Sequence, residues 1–86
     1  MILKEFPKAY RVYNLLGATK LELGKVEKAT SCFEKVVRLS PKWTDAWQNL
    51  GLANLHRSEF ISAERAFRRA TNMDPSLTSA WENLGL

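Results

Sequence analysis

The sequence predicts an all-α chain, a solenoid of antiparallel helix pairs. Three observations carry this. The three prolines, Pro7, Pro41 and Pro75, recur at one interval: 41 − 7 = 34 and 75 − 41 = 34. The same spacing aligns Tyr13 with Trp47 and Trp81, Leu16 with Leu50 and Leu84, and Gly17 with Gly51 and Gly85; Ala29 aligns with Ala63 and Phe33 with Phe67. Within each period the apolar residues fall at helical spacing, three or four apart. A fixed period of this length marks an array in which each unit contacts only its neighbours.

The elements follow in order. Residues 1–9 read as the tail of an earlier unit, with Ile2, Leu3 and Phe6 on a second helix that Pro7 ends. The first full unit covers residues 10–43. Its first helix carries Tyr13, Leu16 and Gly17 at i, i+3 and i+4, and Gly24 stops it. Its second helix carries Val26, Ala29, Phe33 and Val36, and ends before Pro41 because the residue preceding a proline is pushed out of the helical region. The second full unit, residues 44–77, repeats the plan. Trp47, Leu50 and Gly51 mark the first helix, Ser58 takes the place of Gly24, and Phe60, Ala63, Phe67 and Ala70 form the second stripe before Asp74-Pro75. Residues 78–86 begin a further first helix with Trp81, Leu84 and Leu86. Thr44 and Thr78 offer hydroxyls as N-caps. The small residues let two helices approach closely while Trp47 or Phe67 fills the neighbouring gap, so Trp47 is expected to be a buried aromatic.

Bulk properties narrow the function. At 86 residues, 45% hydrophobic and 26% charged, the composition is that of one small globular domain. The lone cysteine, Cys32, cannot close an internal disulfide, which fits a reducing compartment and a cytoplasmic location. Cys32 aligns with Ala66 and so reads as a small packing residue. No apolar run reaches the ~18 residues of a membrane span, and the charged N-terminus does not resemble a signal peptide. The net charge of +4 is unevenly spread. Residues 1–43 hold nine Lys/Arg against four Asp/Glu, and residues 44–86 hold four against five, a gradient too mild to specify a polyanionic partner.

The residues Trp47, Leu50, Gly51, Ala63, Phe67 and Pro75, preceded by Tyr13, Leu16, Gly17, Ala29, Phe33 and Pro41, closely resemble the tetratricopeptide repeat signature. The resemblance covers essentially the whole chain and implies a right-handed α–α superhelix that acts as a protein–protein interaction module without catalysis. One position departs from it. Where the signature has tyrosine, this chain has Lys20 and Asn54, with Leu21 and Leu55 one residue later, so the apolar stripe is expected to drift around the first helix.

At ~100° per residue, the side of the first helices opposite Trp47 and Leu50 carries Asp45, Asn49, Leu52 and His56, preceded by Arg11, Leu15, Ala18 and Glu22 and followed by Ser79, Asn83 and Leu86. The resemblance implies that this face lines a concave, peptide-binding groove. Leu15, Leu52 and Leu86 supply an apolar floor. Asn49 and Asn83, 34 residues apart, supply amides that donate and accept at once. The runs Trp47-Gln48-Asn49-Leu50-Gly51 and Trp81-Glu82-Asn83-Leu84-Gly85 resemble the asparagine-ladder repeats of O-GlcNAc transferases, which implies that these amides hold an extended peptide. Leu15 breaks the ladder in the first unit, and both asparagines also fit as plain helix-surface residues. The family's clamp for acidic C-terminal tails needs lysine, arginine and asparagine here. Those positions read Asn14, Ala18, Asn49, Ser79 and Asn83, and only Asn49 fits.

The remaining features point away from chemistry. His56 is the one histidine, with no second ligand at metal-binding spacing. Arg65, Arg68 and Arg69, with Arg57, have Glu59 and Glu64 nearby and no interleaved aromatic, which reads as solvated convex-face charge rather than a nucleic-acid site. The sequence holds no nucleophile–base pair, paired carboxylates or phosphate loop, and no cofactor or membrane association is expected. The alternatives to a docking module are a substrate-recruiting segment of a larger enzyme, such as a glycosyltransferase, and a structural spacer. Both ends expose apolar residues, so the chain is expected to self-associate or to stack on further repeats.

Overall fold

The structure, a computed structural model, describes residues 9–76. They form four helices: α1 (Ala9–Glu22), α2 (Val26–Leu39), α3 (Thr44–His56) and α4 (Phe60–Met73). α1 packs on α2 and α3 on α4 as two hairpins, α2 packs on α3 to join them, and α1 touches α3. The fold is the expected all-α helical solenoid. Pro7, Thr78, Trp81, Leu84 and Gly85 lie outside the described residues.

Each hairpin closes on one contact made twice. Phe33 and Phe67 are both 1% exposed and are the anchors of the two units. Each sits against a glycine of the partner helix. A Cβ on Gly17 would stand 2.8 Å from Phe33 Cε1, and one on Gly51 would stand 2.7 Å from Phe67 Cε1. Any side chain there would hold the helices apart, so the glycines set the interhelical distance.

Both hairpin turns use the same geometry. Gly24 has φ 80° and Ser58 has φ 60°, the left-handed conformation that stops α1 and α3. In the first, Gly24 N–H donates to Leu21 O at 3.0 Å and Lys25 N–H to Lys20 O at 2.8 Å; in the second, Ser58 N–H donates to Leu55 O at 3.0 Å and Glu59 N–H to Asn54 O at 2.9 Å. This paired pattern satisfies the last carbonyls of each helix. The second helices end as the prolines require: Ser40 and Asp74 leave the helical region at φ −138° and −139°.

Four local expectations are corrected. Thr44 is the first residue of α3 rather than its cap; Trp43 occupies the cap position with extended backbone and no side-chain bond to the helix. Phe60, the first residue of α4, is 64% exposed, and the packed stripe begins one turn later at Ala63. Trp47 is half-buried at the core's edge, because its indole Nε1 donates to Pro41 O at 2.7 Å and ties α3 to the turn that precedes it. The stripe on α3 does not drift to Leu55: Leu55 is exposed, and Asn54 is buried in its stead. Cys32 is buried, with its Cβ against the Gly17 backbone.

Candidate functional site

The candidate surface is the side of α1 and α3 turned away from the hairpin contacts. The two helices are bridged there by a hydrogen bond from Asn49 Nδ2 to Asn14 Oδ1 at 3.0 Å. Both asparagines are half-buried. Leu15, next to Asn14, is 69% exposed, and Leu52, one turn beyond Asn49, is half-buried, as is Ala18 one turn beyond Leu15. An amide pair therefore lies at the junction of the helices with a leucine on each side of it.

Charged residues flank this strip. Arg11, Asp45, His56 and Glu22 are exposed. Arg11 is held at the N-terminal ends of α1 and α3, its guanidinium carbon 5.8 Å from the Tyr10 ring and 5.9 Å from the Trp43 ring. Those two rings meet edge to face, with centroids 5.3 Å apart and planes at 76°. Cation–π contact fixes the orientation of a side chain that would otherwise be mobile. Asn83, Ser79 and Leu86 lie outside the described residues.

Two features of the site were hidden from sequence reasoning. The first is Asn14 as the partner of Asn49. A 34-residue alignment pairs Asn49 with Leu15; the bond spans 49 − 14 = 35 residues, because aligned positions are equivalent rather than touching. The second is the Tyr10–Trp43–Arg11 cluster, in which Trp43 lies between elements and matched no helical stripe.

The arginines on α4 are exposed, as expected of solvated charge. Arg68 pairs with Glu64 at 3.8 Å, an exposed i, i+4 contact that contributes little. Arg69 stands 5.3 Å from the Trp47 ring, so an aromatic does accompany the arginines, brought from α3. One unit earlier Lys35 stands 5.3 Å from the Tyr13 ring, the same contact in the other register. Among the described residues, no three potential metal-binding side chains lie together, and no helix is long and apolar enough to cross a membrane.

Comparison with known proteins supports the architecture. A tetratricopeptide repeat model matches residues 10–42, which take in α2 and all of α1 but its first residue and amount to under half of the chain. No curated protein matches the sequence. Among solved structures, the crystal structure of MamA superposes with a TM-score of 0.89 at 19% identity, over 96% of this chain and 48% of that one. The chain thus has the fold of MamA and spans about half of its length.

Proposed function

We propose that the chain is a non-catalytic docking module whose α1–α3 face forms a concave groove for a segment of a partner protein. The observation that carries this is the Asn14–Asn49 bridge beside the exposed Leu15. After that one bond, Asn49 retains its carbonyl oxygen and Asn14 its NH2 group; exchanging both amide orientations leaves the same set. A donor and an acceptor side by side match the C=O and N–H of a peptide backbone, whatever its sequence. Leu15 and Leu52 add apolar area, at ~25 cal/mol per Å² removed from water. Arg11, Asp45 and His56 then select among partner side chains.

In this reading residues 10–43 and 44–77 are two repeats of one domain, 1–9 and 78–86 belong to neighbouring units, and Asn83 extends the amide row by one repeat. Repeats of the matched family are in general protein–protein interaction modules, which favours a protein partner. The free, buried thiol of Cys32 fits a cytoplasmic setting.

The test uses peptides selected for binding from a random library. Asn49→Ala and Asn14→Ala should each weaken binding by ~0.5–1.5 kcal/mol, the worth of one hydrogen bond. Leu15→Glu should weaken it further, and all three should leave the melting temperature within a few degrees of wild type. Unchanged affinity in the Asn14→Ala/Asn49→Ala double variant would remove the amides from the reading.

A further inference from the structure

On the other side of the stack, α2, α3 and α4 line an open cleft of about 520 Å³, within the ~300–1,000 Å³ range of small-molecule sites. Asn54, at the position where the repeat signature has tyrosine, lines it. Asn54 is only 6% exposed, and among the described residues nothing hydrogen-bonds its side-chain amide. The amide atoms are not sealed away without a partner, so they open onto the cleft. A buried amide in this state keeps a donor and an acceptor for an incoming group.

The walls carry charge of both signs. Arg57, Arg65 and Arg69 line it together with Glu34 and Glu59, three positive charges and two negative. Among the described residues none of the five is in an ion pair. Arg69 is already oriented by the Trp47 ring, which with Leu50 forms the apolar floor. We propose that this cleft binds a small organic monoanion, a carboxylate carried on a single aromatic ring. The excess of one positive charge matches one negative charge, and the two glutamates oppose a phosphate dianion. A guanidinium fork binds a carboxylate through two parallel bonds. The ring takes the space beside Trp47 that the signature's tyrosine would otherwise occupy, and Asn54 orients the polar end.

The experiment is an NMR titration of the ¹⁵N-labelled chain with phenylacetate, phenylacetamide and inorganic phosphate, each separately. Phenylacetate should give saturable shifts at the Asn54 side-chain amide and the Trp47 indole N–H. Phenylacetamide and phosphate should bind at least about tenfold more weakly, the scale of a lost charge-assisted hydrogen bond. Arg65→Gln should weaken phenylacetate by a similar factor, and Asn54→Tyr, which restores the signature residue, should abolish saturation while the protein still melts cooperatively. The proposal is overturned if phenylacetate does not saturate, if the neutral amide or phosphate binds as well, or if neither Arg65→Gln nor Asn54→Tyr changes the affinity.

Discussion

Ser58 holds a backbone conformation, φ 60°, that its counterpart Gly24 adopts at φ 80° without steric cost. For an L-residue with a side chain, the left-handed region costs ~1–2 kcal/mol; glycine's greater freedom in the unfolded chain returns part of that. Ser58→Gly should therefore raise stability by ~0.5–1 kcal/mol, read as a higher urea midpoint with unchanged slope. Gly51 is the opposite case. A Cβ there meets three atoms of the Phe67 ring at 2.7–2.9 Å, and that ring is enclosed on all sides. Gly51→Ala should cost ~1–3 kcal/mol by overpacking. Phe67→Ala should cost ~3–5 kcal/mol and leave a protein that melts poorly or not at all. Trp47, being half-buried, should prove less critical than Phe67, and a thermal melt of the two alanine variants ranks them.

The helices were legible because their signals are local. Pro41 and Pro75 each stop a helix through the residue before them, and the Gly24 and Ser58 positions mark the hairpin turns. Contacts between elements were less so. The alignment found Trp47, Leu50 and Gly51 on one face, yet did not show that the Trp47 indole bonds to Pro41 O, that Arg69 stacks on Trp47, or that Asn14 meets Asn49. Each of these depends on the offset between packed helices, which periodicity within one helix does not encode. Asn54 shows the same limit. An amide on an apolar stripe reads as a drift toward Leu55, but the packing of α3 between α2 and α4 buries position 54 and leaves 55 outside. The Trp47–Pro41 bond can be isolated by Trp47→Phe, which keeps a ring and removes the donor. The loss should be ~0.5–1.5 kcal/mol, and a change indistinguishable from zero would show that water replaces the bond without penalty.

At the scale of the molecule, the stack treats equivalent positions unequally. Ala46 and Leu50 on α3 are covered by α2 and are 0% and 8% exposed; Val12 and Leu16, 34 residues earlier on α1, are 67% and 41% exposed. An apolar helix face left open in this way favours association. The isolated chain should self-associate as its concentration rises, and Leu16→Lys should reduce this in sedimentation without lowering the melting temperature. A monomer at all concentrations would show that α1 is covered from within the chain. The proposed docking groove adjoins this open face, where α1 and α3 meet. Its most direct test is chemical-shift mapping of the ¹⁵N-labelled chain with a library-selected peptide. The account predicts that the largest shifts fall on Asn14, Leu15, Asn49 and Leu52, with the two side-chain amides among them. Shifts confined to α4 or to Val12 and Leu16 themselves, with those four residues unmoved, would contradict it.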